Sequence, residues 1–277
     1  MSARVTLVMA VFNQLPLTRA CLESLRLTRE PFHLVVIDNG STDGTREFFE
    51  KLESAFPLRF VVNDHNNSVI RSLNRAWRYA ETEFVCLLHN DTEMIDPEWL
   101  TKLLTPFRQP DVGMTGLYGV KRLRRNSRFV GRTIVHSLAE APTVRPPWEE
   151  VAVVDCVCLC LRRELIESLG GLDEAYGFYH GYDKDLSFAI RERGLRCLVV
   201  HAPFYHRGGG TRTREFTRDP ERERRDIVLR DVAIERLLQK WGHRLPCDVR
   251  SFRERVTDWI GSKVLHTIER GPIQKSP

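Results

Sequence analysis

Four times in its first ninety residues the chain sets down a short, mostly apolar run: VTLVMAV (5–11), LVVI (34–37), LRFVVN (58–63, interrupted by Arg59 and polar at its end) and FVCLL (84–88). A strand with one wet face alternates apolar and polar residues, so a continuous run marks a strand covered on both faces. Between the runs, LPLTRACLESLRL, REFFEKLESAF and SLNRAWRYA carry the spacing of helix faces. Strands alternating with helices in this way predict an α/β fold, a mostly parallel central sheet flanked by helices.

Each run ends in polar residues: Asn13, then Asp38 to Asp43, then Asn63 to Ser68, then His89 to Glu93. In open parallel sheets, ligands bind just beyond the C-terminal ends of the strands. The repetition therefore predicts a binding edge, although each loop alone is ordinary turn chemistry.

At 277 residues the chain fits one large domain with a tail. Its net charge of +5 falls short of a nucleic-acid footprint, so no nucleic-acid partner is expected. No stretch approaches the ~18 apolar residues of a membrane span, and MSARVTLVMAVFNQ reads as a first strand and not as a signal peptide. A cytoplasmic protein is expected. The seven cysteines, an odd number without metal-site spacing, agree with a reducing compartment. Cys156, Cys158 and Cys160 are expected on one face of a long strand over 151–161.

Beyond residue 110, DVGMTGLYGV reads as a further strand and KRLRRNSRF as a basic loop or edge hairpin. RRELIESLGGLDE reads as a helix ended by glycines, and GYDKDLSFAIRERG as a helix after an aromatic loop. RCLVVHAPFYHRGGG is a strand entering a glycine-rich loop. In the charged remainder, Ile227, Val228, Val232, Ile234, Leu237, Leu238 and Trp241 predict a helix packed on the domain.

Asp91 and His206, 115 positions apart, both follow strands. Carboxylate and imidazole together suit Mn²⁺ or Mg²⁺ with phosphate oxygens completing the shell. Asp183 and Asp185 open a helix two residues apart, so one can cap it while the other faces a cleft; two acids favoured by the helix dipole is the plainer reading. Asp38 divides in the same way between turn former and ligand acceptor.

Taken in order, MAVFNQLPLTRACLESL, VVIDNGSTDGT, NNSVIRSLNRA, LLHNDTEM, VGMTG, LRRELIESLGGLDEAY, GYDKDL and FYHRGGGT resemble a family 2 glycosyltransferase of GT-A fold, of the bacterial rhamnosyltransferase-like type, over about residues 4–211. The resemblance implies a Rossmann-like sheet with a C-terminal helical extension. It also implies a nucleotide-diphospho-sugar donor of UDP or dTDP type, a divalent ion (Mn²⁺ or Mg²⁺), and inversion at the anomeric carbon. Ala10, Val11, Phe12 and Asn13 match the segment lining the nucleotide pocket, and Asp38 matches the acid that hydrogen-bonds the base. Asn66, Asn74 and Asn90 are assigned to the same nucleotide-sugar site. Asp91 matches the metal-binding second acid of the Asp-x-Asp motif, and His206 the histidine that completes the metal site. Asp183 matches the catalytic base, with Tyr182 and Asp185 as acceptor or loop support.

The same resemblance divides the chain into a nucleotide-sugar-binding half (1–110), an acceptor-binding half (111–211) and an extension (212–277). The acceptor is expected to be a hydroxyl of a glycan, a lipid-linked molecule or a small molecule. Peripheral contact with the inner face of the membrane, through KRLRRNSR, and a homodimer are compatible with it. Four departures stand out: His89 replaces the motif's first acid, Tyr182 stands where relatives commonly have Glu, Ser68 where they often have Gly, and Cys156 where a small residue, often Gly, lies near the donor sugar.

Two rival readings compete. A sugar nucleotidyltransferase needs a Gly-rich basic phosphate loop after the first strand, and AVFNQLPLT has none. A degenerate transferase kept as a binding subunit is opposed by the joint presence of Asp91, Asp183 and His206. The triple glycine at 208–210 lacks the Gly-x-Gly-x-x-Gly spacing of a dinucleotide enzyme.

Overall fold

The computed structural model describes residues 2–208 and 220–259. Gly209 and Gly210 of the glycine run, and residues 212–219 and 260–277 of the expected extension, lie outside the described residues.

The first half runs β1 (Val5–Val11), α1 (Leu15–Leu25), β2 (Phe32–Asp38), α2 (Thr45–Glu50), β3 (Leu58–Val62), α3 (Val69–Trp77), β4 (Phe84–Leu88), β5 (Thr92–Met94) and α4 (Trp99–Leu104). The second adds β6 (Val112–Gly116), β7 (Tyr118–Val120), β8 (Arg122–Leu123), β9 (Ile134–His136), β10 (Trp148–Val151), β11 (Val153–Val154), β12 (Cys158–Arg162) and α5 (Arg163–Ser168). It ends with α6 (Tyr182–Glu192), β13 (Arg196–Val200), β14 (Phe204–His206), α7 (Pro220–Trp241) and β15 (Cys247–Asp248).

Eight strands form the central sheet in the order β10-β13-β6-β12-β4-β1-β2-β3, with only β12 and β10 running against the rest. Pleating explains the apolar runs. Leu7, Met9, Val36, Cys86 and Leu88 point to one face, beneath α1 and α4, while Val8, Val35, Ile37, Val85 and Leu87 point to the other, beneath α3 and α6. All ten are buried.

Ser68 fixes the start of α3: its hydroxyl accepts from the Arg71 amide (3.3 Å) and reaches the Phe178 carbonyl (2.9 Å), which ties α3 to the loop ahead of α6. Gly181 opens α6 at φ 82°, and a Cβ there would stand 2.8 Å from the Tyr176 ring, so the turn requires glycine.

Several expectations are corrected. DVGMTGLYGV is two strands in two sheets, because β7 pairs with β9 and β11 instead of continuing β6. The long strand over 151–161 is likewise broken into β10, β11 and β12; Cys158 and Cys160 share a buried face with Cys86, whereas Cys156 lies in the preceding turn. Neither Asp183 nor Asp185 caps α6, since Gly181 holds that position without a side-chain bond. On α7 only Ala233, Leu237 and Trp241 of the apolar residues are fully buried; Val228 and Val232 stay 61% and 48% exposed. Of KRLRRNSR, Lys121 is buried against Glu149 and Glu254, and Arg122 pairs with Asp248, leaving Arg124, Arg125 and Arg128 outside.

Candidate active site

The end of β4 is held on three sides. The His89 amide donates to the Val157 carbonyl at 3.0 Å, the Thr92 hydroxyl donates to the His89 carbonyl at 2.7 Å, and the Asn90 side chain donates to Thr18 of α1 at 2.8 Å. β5 then pairs antiparallel with β14, setting His206 opposite Thr92, and the Arg207 amide donates to the Asp91 carbonyl at 2.9 Å. An Arg207–Glu93 pair at 2.7 Å closes the ladder.

This brings His206 Nε2 within 3.3 Å and His89 Nδ1 within 3.8 Å of Asp91 Oδ1, and ligand atoms of all three residues lie within 4.8 Å of one another. Burial pulls His89 below the ordinary histidine pKa, which favours the neutral imidazole with a free lone pair. Burial also opposes charge on His206, but the Asp91 carboxylate outweighs it and holds that pKa above the usual value. The expected pair Asp91 and His206 is therefore brought together, with His89 beside it.

Asp183 is 7% exposed and lines a cleft of about 730 Å³ together with Asp155, Cys156, His180, Lys184 and Arg128. Burial raises the Asp183 pKa. Burial, then the like charge of Asp183, raises Asp155 to about 6. The Asp155 charge also acts on His206, so one carboxylate links the cleft electrostatically to that histidine. Two lining residues are held from α7: Asp226 binds His180 Nε2 at 2.9 Å and accepts from the Tyr179 hydroxyl.

Asp155, His180 and Asp226 were missed by sequence reasoning. Asp155 had a signal, a carboxylate inside the apolar run VVDCVCLC; Asp226, one charge among many on α7, had none. Tyr182 is 2% exposed and packs in the core near Cys156, which lines the cleft, whereas Tyr182 itself is not among the lining residues. Asp185 accepts from the Tyr176 hydroxyl (3.0 Å), Trp241 Nε1 (2.6 Å) and Lys240 (3.1 Å), which makes it the anchor of α7 on α6.

At the other end of the sheet edge, Ala10 is half-buried, Val11 is in the core and Phe12 is exposed. Asn13 adopts φ 55°, and its amide and side chain grip Ser41 and Thr42 of the β2 loop at 2.7 Å each. Asp38 is fully buried; one oxygen accepts from Ser41 and the other, Oδ2, has no hydrogen-bond partner among the described residues. Asn66 Oδ1 is buried and unpartnered in the same way. Asn74 is a correction. Its amide donates to the Leu172 carbonyl and Glu174, its oxygen accepts from Trp77 and the Leu172 amide, all at 2.9 to 3.0 Å, so no hydrogen-bonding capacity remains for a ligand.

The model of the Glycosyl transferase family 2 domain matches residues 6–170. The chain belongs to glycosyltransferase family 2. This glycosyltransferase is 30% identical over 214 residues to the O-antigen biosynthesis protein RfbC of Myxococcus xanthus, covering 71% of the chain and 16% of RfbC. It is 27% identical over 238 residues to protein y4gI of Sinorhizobium fredii, covering 80% of the chain and 26% of that protein. It thus spans about a quarter or less of these curated relatives.

Among solved structures, the mannosyltransferase PcManGT of Pyrobaculum calidifontis, bound to GDP-Man and Mn²⁺, superposes with a TM-score of 0.58 at 18% identity, over 95% of this chain and 81% of that one. GalNAc-T7 with UDP, GalNAc and Mn²⁺ gives 0.60 at 13% identity, over 74% and 44%. These likenesses show the GT-A fold of the glycosyltransferase: a mostly parallel sheet with flanking helices.

Proposed function

We propose that the chain transfers a sugar, with inversion, from a UDP- or dTDP-type nucleotide-diphospho-sugar to a hydroxyl of a glycan, lipid-linked or small-molecule acceptor, with Asp183 as general base. The observation that carries this reading is a buried carboxylate of raised pKa in the wall of a cleft of about 730 Å³, beside Asp155, whose charge acts on His206 of the Asp91–His206 pair. The first half of the chain would hold the donor, 111–211 the acceptor, and the extension from 212 would wall the cleft.

Two buried acceptors at the β2–β3 end, Asp38 Oδ2 and Asn66 Oδ1, fit the N–H groups of a nucleobase, since buried polar atoms without partners are rare. The turn gripped by Asn13 leaves half-buried Ala10 beside them. Asp91 and His206 fit a divalent ion, Mn²⁺ or Mg²⁺, and solved neighbours carry Mn²⁺ beside GDP-Man or UDP. When bound, such an ion neutralises charge on the departing diphosphate. Asp183 takes the proton of the acceptor hydroxyl as the new bond forms, and its raised pKa strengthens it as a base near neutral pH. RfbC, named for O-antigen biosynthesis, supports a glycan acceptor. No helix among the described residues is long and apolar enough to cross a membrane, so contact with a lipid-linked acceptor would be peripheral.

The test is turnover of UDP-, dTDP- and GDP-sugars with Mn²⁺ present. Asp183→Asn should lower transfer at least about a hundredfold, and Asp91→Ala should abolish it. Transfer that survives Asp183→Asn would remove the base assignment.

A further inference from the structure

We propose that His89 is a third protein ligand of the ion site, making it a two-histidine, one-carboxylate centre that takes first-row transition ions such as Mn²⁺ and Co²⁺ in preference to Mg²⁺. The inference rests on the reading of Asp91 and His206 as ion ligands. Ordinary bonds of about 2.1 Å place two ligands of one ion about 3 to 4.2 Å apart. His206 Nε2 and His89 Nδ1 stand 3.3 and 3.8 Å from Asp91 Oδ1. The 3.8 Å separation is too long for a hydrogen bond and suited to a shared ion.

The backbone supplies preorganisation. His89 is pinned through its amide to Val157 and through its carbonyl to Thr92, and His206 is pinned by pairing with Thr92 across the β5–β14 ladder. Closure to a common centre needs only a small movement, because the whole set already fits within 4.8 Å. The His89 side chain is 33% exposed, so the site opens toward solvent and leaves room for further ligands.

Donor chemistry sets the selectivity. Mg²⁺ prefers oxygen ligands and keeps much of its water, whereas imidazole nitrogen suits transition ions. An acid in place of His89 would present oxygens and admit Mg²⁺; the histidine replaces them with nitrogen.

The test is direct ion binding to the full chain without sugar donor. Mn²⁺ is titrated and the electron paramagnetic resonance signal of the free ion followed, with Mg²⁺ as competitor. Wild type is expected to retain Mn²⁺ against a large excess of Mg²⁺, and His89→Ala to weaken Mn²⁺ binding about tenfold or more. His89→Asp should recover Mn²⁺ binding and let Mg²⁺ compete. With Co²⁺, the visible band should shift between wild type and His89→Ala. Should His89→Ala melt early, His89→Gln, closer in volume, decides by the same titration. Wild-type Mn²⁺ affinity in the His89 variants, alongside its loss in Asp91→Ala, overturns the ligand role and leaves the Asp91–His206 reading standing. A wild-type chain that binds no Mn²⁺, even with UDP added, overturns both.

Discussion

Asp155 and Asp183 line one cleft, each a carboxylate drawn out of water, and the charge of Asp183 makes Asp155 harder to ionise. A base must be unprotonated to act, so kcat/KM should rise with pH along a limb above the ordinary carboxylate range. Asp155→Asn keeps the oxygen that accepts from the Val157 amide but removes the charge, and, since the repulsion between two carboxylates is mutual, should move that limb to lower pH. A pH–rate profile of the two proteins checks this. Stability changes the opposite way. Because the folded pKa of Asp155 is about 6 against 3.8 for the free group, the folded protein holds the extra proton between those values and loses stability as pH rises through them. The melting temperature of Asp155→Asn relative to wild type should therefore climb between pH 4 and pH 7. Asp183 was legible in the sequence through its match to a family's catalytic base; as one of two acids opening a helix after an aromatic loop, its residue pattern left it divided between cap and cleft. Asp155 was not legible, because VVDCVCLC looks continuous, and only the pairing of β11 with β7 shows that the chain leaves the main sheet there.

At the level of elements, α6 and α7 are joined through Asp185. Asp185→Asn leaves the Tyr176 and Trp241 contacts in place and removes the ion pair with Lys240 at 2.9 Å. It should lower unfolding free energy by about 1 to 3 kcal/mol in a denaturant titration, while sugar transfer measured well below the melting point persists. Loss of transfer without loss of stability would instead place Asp185 in the chemistry. The strands of the parallel half were legible almost to the residue, since a continuous apolar run has its stable home in a doubly covered sheet; only β3, interrupted by Arg59, lies partly exposed at the sheet's edge. The face of α7 was not. Its apolar residues surround the helix, so periodicity alone could not choose Ala233, Leu237 and Trp241, the i, i+4, i+8 row that meets α6 and Tyr176. Asn74 failed for a related reason: an asparagine in a motif cannot show that both ends of its amide are already engaged by Leu172, Glu174 and Trp77.

Over the whole molecule, α7 reaches back to the cleft, where Asp226 holds Tyr179 and His180, which line it together with Asp155. Asp226→Ala should raise the KM for acceptor several-fold while donor KM stays near wild type, because the disturbed wall belongs to the cleft and not to the β2–β3 end. Donor and acceptor titrations separate the two. The pairing of β5 with β14 has a thermodynamic consequence as well. Asp91, just ahead of β5, and His206, in β14, lie 115 residues apart along the chain, so an ion shared between them would act as a tether across that stretch. Unfolding must release it, and at a hundredfold excess over Kd this adds about 2.7 kcal/mol to stability. Chelation by EDTA should therefore lower the melting temperature of the Mn²⁺-loaded protein and leave Asp91→Ala unmoved. A calorimeter would then detect the ion in a protein whose sugar substrate had never been supplied.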